Sequence, residues 1–181
     1  MIGVLVSGNG TNLQALIDAG LPISAVASNR SSAPALVRAR KAGIPTAVFS
    51  LDCHADREER DLLMATWLEE HGVELVVLAG YMHLLTPPFL RRFPARIVNV
   101  HPSLLPAFPG AHALEDALAA GVETTGVTVH YVDDGLDTGP VIVQEAVPLD
   151  PRETLEQRIH AVEHRLLCEV VRELCSETAA R

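Results

Sequence analysis

Short apolar runs recur along the first hundred residues: Ile2 to Val6, Ile23 to Ala27, Thr46 to Phe49, Leu75 to Leu78 and Ile97 to Val100. Runs of this length predict strands buried on both faces. Between them the apolar positions return at helical spacing, over Asn12 to Ala19, Pro34 to Ala42 and Glu58 to Glu70. In the last of these Leu62, Leu63, Thr66 and Trp67 recur with the period of an inward-facing stripe. Strands alternating with helices predict parallel strands joined by right-handed crossovers, with ligands received at the carboxyl ends of the strands.

The pattern changes in the second half. Thr124 to Val132 alternates apolar and polar residues, and Val141 to Val147 follows a Gly/Pro turn, so two further strands are expected, at least one of them antiparallel. A final helix is expected from about residue 151. Asp150 can cap it, Pro151 suits its first turn, Glu153 completes a capping-box-like pattern, and Leu155, Ile159, Val162, Leu166 and Val170 form its stripe. The expected fold is a single α/β domain over residues 1–181: a Rossmann-like, mostly parallel sheet with flanking helices and an antiparallel strand in the C-terminal half. No internal repeat, low-complexity tract or linker interrupts it.

Composition narrows the class. Hydrophobic residues make up 48% and charged residues 20% of the 181, which excludes a disordered chain. The longest apolar runs, such as Leu75 to Ala79, are far shorter than the ~20 residues a membrane span requires. Met1 to Val6 leads directly into a glycine turn without the features of a signal peptide, so a cytoplasmic location is the expectation, with no membrane partner. Cys53, Cys168 and Cys175 are odd in number and widely spaced, which indicates neither a disulfide framework nor a structural zinc site. A net charge of −9 opposes nucleic acid as a partner. The charge is uneven: residues 1–50 carry Arg30, Arg38, Arg40 and Lys41 against Asp18 alone, whereas residues 111–150 carry eight acidic groups and no Lys or Arg. An anionic ligand is better received by the first segment.

Gly8, Asn9, Gly10, Thr11 and Asn12 follow Ser7 at a strand-to-helix junction, where free amides and the helix dipole favour a phosphate or carboxylate. Leu13 stands where a dinucleotide fingerprint needs its third glycine, and no Gly-Lys-Ser/Thr follows, so a monophosphate fits better than NAD or ATP. A tight turn with Thr11 as a simple helix cap is the alternative.

Asn99 and His101 follow the fifth predicted strand and, by its alternation, point to one side, with Pro102 and Pro106 bracing the chain beyond them. An amide and an imidazole so placed can hold a reacting carbonyl and exchange protons near neutral pH. Asp133, Asp134 and Asp137 lie in a loop with Gly135 and Gly139, which can bring a carboxylate to an imidazole and favour its charged form. A structural histidine and a solvated acidic turn are the alternatives. Glu163 falls inside the apolar stripe of the last helix, where a carboxylate requires a partner. A ligand's ribose hydroxyls or amine would serve, as would an internal salt bridge.

Together these residues resemble the glycinamide ribonucleotide formyltransferase family over nearly the whole chain. The most specific part runs from Asn99 to Gly110, then His112, Gly126, Thr128, His130 and Leu136-Asp137-x-Gly-Pro. The resemblance implies the formyltransferase fold, 10-formyltetrahydrofolate as co-substrate and phosphoribosylglycinamide as acceptor, with no metal. It implies catalytic roles for Asn99, His101 and Asp137, phosphate binding by Gly8 to Asn12, and contact of Glu163 with the ribose or glycinamide portion. It also implies that Arg57, Tyr81, Met82, His83, Leu84, Leu85, Asp133, Asp134, Gly135 and Leu136 border the folate. In the implied reaction the glycyl amine attacks the formyl carbon, Asn99 and protonated His101 meet the oxyanion, and Asp137 orients His101 and assists proton transfer through water. Monomer or weak homodimer is the expected state.

The chain departs from that family's pattern at His83, where Arg is common, so the polar contact near the folate is expected to be weaker or pH-sensitive. The segment after the first helix is short, and the chain stops soon after the last helix, without the terminal hairpin of some relatives. A formyl-folate hydrolase and a methionyl-tRNA formyltransferase share the catalytic domain. Each adds a second domain, which the length of this chain disfavours. A noncatalytic nucleotide-binding module is the reading from another class, and turnover separates it.

Overall fold

In the computed structural model, which describes residues 1–179, a seven-stranded sheet has the order β3-β2-β1-β4-β5-β6-β7. Its strands are β1 (Ile2–Val6), β2 (Ile23–Ser28), β3 (Thr46–Val48), β4 (Leu75–Leu78), β5 (Ile97–His101), β6 (Thr124–Tyr131) and β7 (Val141–Pro148). The helices are α1 (Thr11–Asp18), α2 (Pro34–Lys41), α3 (Arg57–Glu70), α4 (Pro87–Arg92), α5 (Ala113–Ala120) and α6 (Leu155–Ala179). The chain divides into two compact units, Met1–Val98 and Asn99–Arg181, with the division inside β5.

In the first unit β1 pairs in parallel with β2 and β4, and β2 with β3, as the alternation of strands and helices predicts. All of β1 is buried. A Cβ on Gly3 would stand 2.9 Å from Leu68 and Val73, so glycine lets the end of α3 and the turn after it close onto β1. The buried face of α3 differs from the stripe expected from the sequence. Leu62 and Leu63 are exposed, and Arg60, Asp61, Met64, Ala65 and Leu68 face inward. Pairing explains the inversion, because Arg60 and Asp61 satisfy each other and can be buried together.

In the second unit β6 and β7 form the expected antiparallel pair, and α6 packs on both. A Cβ on Gly126 would overlap the Glu145 carbonyl and the Leu104 side chain, so the loop after β5 lies directly against β6. The last helix begins later than expected. Arg152–Thr154 form a 3-10 turn that precedes α6, and Asp150 makes no side-chain cap but stays exposed near Arg152. Arg158 binds the carbonyls of Pro148, Leu149 and Pro151 and so secures the approach to the helix from within it. Leu155, Ile159, Leu166, Leu167, Val170 and Val171 form its buried face, with Val162 only half-buried.

Candidate active site

The second unit brings Asn99, His101 and Asp137 together. Asn99 and His101 end β5 two residues apart, so both point to one side, and the loop after β6 returns Asp137 to them. Asp137 Oδ1 accepts from Asn99 Nδ2 at 3.4 Å, and Oδ2 lies 3.5 Å from His101 Nδ1. The carboxylate is anchored by a shorter bond, from the backbone N–H of Gly110 to Oδ2 at 2.8 Å. His101 Nε2 donates to the Phe108 carbonyl at 2.8 Å. Both ring nitrogens thus face oxygen acceptors, and a proton on Nδ1 completes the contact with Asp137.

His130 was not singled out as a site residue from the sequence, and it belongs to this group. Its Nδ1 donates to the Tyr131 carbonyl at 2.8 Å, which leaves Nε2 bare to accept from Asn99 Nδ2 at 3.2 Å. Burial holds His130 below the usual histidine pKa, against the opposing pull of the Tyr131 carbonyl and Asp137. A neutral ring fits its role as acceptor. Its position at the end of a buried strand, like that of His101 on β5, was the available signal. The other contributors, the Phe108 carbonyl and the Gly110 amide, are backbone groups that no residue identity announces.

Behind His101 the loop from Ser103 to Phe108 is laced to β6 and β7. Thr128 Oγ1 donates to the Ser103 carbonyl and accepts from Leu105 N, and Gln144 Nε2 lies within reach of both Thr128 Oγ1 and the Leu105 carbonyl. Ser103 Oγ donates to the Ala107 carbonyl. Phe108 and Asp137, which contact His101 from its two ring nitrogens, both have positive φ, 52° and 53°. Two of the three non-glycine residues with positive φ among the described residues, the third being Ala95, are thus the groups that hold the imidazole.

The remaining acidic loop is ordered by its own side chains. Asp133 Oδ1 accepts from Gly135 N and Thr138 Oγ1, Asp134 is exposed, and Leu136 presents an exposed apolar side chain. Glu163 is buried on the inner face of α6, as its position in the stripe predicts.

In the first unit Gly8 and Asn9 are exposed at the β1–α1 junction. Gly10, with φ of +73°, occupies the N-cap position, and a Cβ there would overlap Ala35 at the start of α2. No side chain caps α1, so Thr11 opens the helix instead of capping it, and the first-turn amides have no side-chain acceptor. Arg38 binds the Asn9 carbonyl at 2.8 Å, which adds a cation to the turn. Asn12 Oδ1 is buried without a hydrogen-bond partner among the described residues.

Also in this unit, the segment Tyr81 to Leu85 is tied down by its backbone. Met82 N donates to Ser7 Oγ, Arg57 Nη2 donates to the Leu84 carbonyl, and Thr86 N donates to Asp61 Oδ2. Met82 and Leu84 are left as exposed apolar side chains, whereas Leu85 is buried. Tyr81 is buried too, and burial pushes its hydroxyl up to about 12. His83 is half-buried between Arg60 and Asn29. Among the described residues no group of three or more His, Cys, Asp or Glu is placed to hold a metal, and no helix is long and apolar enough to cross a membrane.

A parallel sheet with amide, imidazole and carboxylate gathered at the end of β5 defines the class: the chain belongs to the formyl transferase family, whose model matches residues 1–171. Phosphoribosylglycinamide formyltransferase of Bacillus subtilis is 39% identical over 182 residues, covering 94% of this chain and 92% of that protein. The enzyme of the same name from Bacillus halodurans superposes with a TM-score of 0.93 at 40% identity, over 98% of this chain and 96% of that one. Glycinamide ribonucleotide transformylase 1 of Symbiobacterium toebii gives 0.91 at 47% identity, over 94% and 85%. The trifunctional purine biosynthetic protein adenosine-3 of Drosophila pseudoobscura is 49% identical over 174 residues. The match covers 90% of this chain and 13% of that much longer protein.

Proposed function

We propose that the chain transfers the formyl group of 10-formyltetrahydrofolate to the glycinamide amine of 5'-phosphoribosylglycinamide, a step of purine biosynthesis. The observation that carries this reading is the convergence of Asn99, His101 and Asp137 in a chain of this family. The contacts of Asp137 with the two partners are 3.4 and 3.5 Å, longer than a good hydrogen bond, while its tie to Gly110 and that of His101 to Phe108 are 2.8 Å. The short bonds hold the frame. The long ones are those a reacting oxygen can take over as the site tightens around substrate.

In this mechanism the N–H groups of Asn99 and His101 that face Asp137 turn to the formyl oxygen and stabilise negative charge developing there. His130 holds the Asn99 amide, and Asp137 keeps the His101 ring in place and receives, through water, the proton shed by the attacking amine. The folate supplies the formyl carbon; as the tetrahedral adduct collapses the bond from that carbon to the folate nitrogen breaks, and the nitrogen leaves with the proton relayed from the amine. The resemblance to this family supports a folate bordered by Arg57, Tyr81, Met82, His83, Leu84 and Leu85 of the first unit and by Asp133, Asp134, Gly135 and Leu136 of the second, with Met82, Leu84 and Leu136 each offering an exposed apolar side chain. Gly8 to Asn12 bind the nucleotide phosphate, Asn12 Oδ1 offering an acceptor to a ligand hydroxyl, and Glu163 meets the ribose or glycinamide.

The test is to mix the protein with formyl-folate, with and without phosphoribosylglycinamide, and follow deformylation by absorbance. Nucleotide-dependent release with formylated product is expected. Release at the same rate without nucleotide identifies a hydrolase, and no release with either identifies a noncatalytic module.

A further inference from the structure

Arg60 is wholly buried, and its guanidinium is shared between two neighbours. Nε and Nη2 donate to Asp61 Oδ1 at 2.9 and 2.6 Å, and Nη1 lies 2.6 Å from His83 Nδ1. A guanidinium has no acceptor, so His83 Nδ1 must accept and carries no proton. The ring proton is then on Nε2, which lies 3.0 Å from Asn29 Nδ2. That sets a donor against a donor, with Asn29 Oδ1 accepting from Ser7 Oγ at 2.6 Å; a half-turn of the amide, which exchanges its oxygen and nitrogen, gives the ring proton its acceptor, and Ser7 Oγ also accepts from Met82 N at 2.9 Å. The Arg60, His83 and Met82 donors then each meet an acceptor.

We infer that Arg60 is a positioning residue that acts through His83: it fixes the ring as the neutral Nε2-protonated tautomer, and the ring ties the Tyr81–Leu85 segment to Asn29 and Ser7. The tie is acid-sensitive by construction. A proton on Nδ1 would face the Arg60 guanidinium, with Arg57 and Arg30 adding positive charge nearby. Among the described residues Asp61 is the acidic group that opposes them, and both its oxygens are committed, Oδ1 to Arg60 and Oδ2 to Thr86 N. Tyr81, whose ring centroid is 5.9 Å from that of His83, stays neutral. Burial and these guanidinium groups hold His83 below its ordinary pKa, so the neutral tie persists through neutral pH and breaks on acidification.

The functional consequence rests on the proposed folate role of this segment. Acid should loosen the folate site and leave the nucleotide site unaffected. The first experiment needs no substrate: 15N NMR of the histidine rings, with the His83 signals assigned by their loss in H83Q. At neutral pH a protonated Nε2 and a bare Nδ1 are expected. A protonated Nδ1 overturns the proposal whatever the enzyme's activity. The second measures both KM values across about pH 5 to 8, where histidines titrate. In the wild type the folate KM should rise roughly three- to tenfold toward acid, the worth of one net hydrogen bond, with the nucleotide KM flat. H83Q should abolish that rise, and R60M, which removes the cation, should move it to higher pH. An acid rise unchanged in H83Q overturns the inference, as does one unmoved in a folded R60M. If R60M does not fold, the ring tautomer and H83Q decide. A chain with no formyl transfer at all refutes the proposed function and leaves the tautomer result to judge the tie.

Discussion

At the scale of single residues, Asp137 carries the most decisive test. Its φ of 53° lies in the left-handed region, which Asn tolerates at least as well as Asp, so Asp137→Asn removes charge with little change of shape or backbone cost. We expect kcat to fall roughly 10²-fold or more with both KM values nearly unchanged. His101→Ala should be similarly severe, and the double variant should cost little more than the worse single one, because the residues act as a unit. Multiplied losses would break the pairing. Turnover of the three variants, with circular dichroism to confirm folding, makes the measurement. The placement of Asn99 and His101 on one side was legible because an amide and an imidazole alternate at a predicted strand end, whereas Asp137 was one of three loop aspartates that only the family resemblance told apart. His130 was named within the family resemblance but given no role, since a buried histidine on an alternating strand looks like any satisfied core residue until Asn99 is found against it.

At the scale of elements, strands read more truly than helices. β1 and β4 fall on their predicted limits because continuous apolar runs leave little choice. α4, at six residues, is too short for a 3.6-residue period to register, and α5 passed unpredicted at eight. α3 misled because hydrophobicity cannot foresee that Arg60 and Asp61 neutralise each other, leaving Leu62 and Leu63 outside. The brace between the β5–β6 loop and the last strands was equally invisible, yet it sets the Phe108 carbonyl that holds His101. Thr128→Val keeps the shape and deletes the hydroxyl that serves Leu105 N, Gln144 and the Ser103 carbonyl. Leaving the buried Leu105 amide unsatisfied should cost about 1–3 kcal/mol in denaturant unfolding. It should also lower kcat more than it raises either KM. Full stability in the folded variant would mean that Gln144 alone can serve the loop.

At the scale of the whole molecule, the response to acid follows from histidines in both units. Burial is the leading cause that holds His83, His130 and His164 below the ordinary histidine value of 6.5, with Arg60 adding to the effect at His83 and His160 at His164. Folded, these rings resist protonation. Unfolded, they take a proton near pH 6.5, so below that pH the unfolded chain binds more protons and stability must fall as pH falls, until the folded pKa values are passed. Glu74 is displaced in a different window. Its pairing with the N-terminal amine lowers its pKa from 4.5, so its contribution is present above that pH and lost below it. The interval from about 6.5 down to 4.5 therefore belongs to the histidines among these displaced groups. We expect Tm to drop steadily from pH 7 to 5, and unfolding at pH 6 to be accompanied by proton uptake, measured by calorimetry in buffers of differing ionisation enthalpy. H83Q, H130Q and H164Q should each flatten the slope, whatever each does to Tm at pH 8. The exposed pairs of Arg92 with Glu69 and Arg165 with Glu145 are worth little in water, so moderate salt should leave the profile nearly unchanged. A flat Tm between pH 7 and 5, with no proton uptake, would show that the three rings titrate alike folded and unfolded, and would remove the physical basis for the acid-sensitive tie at His83 as well.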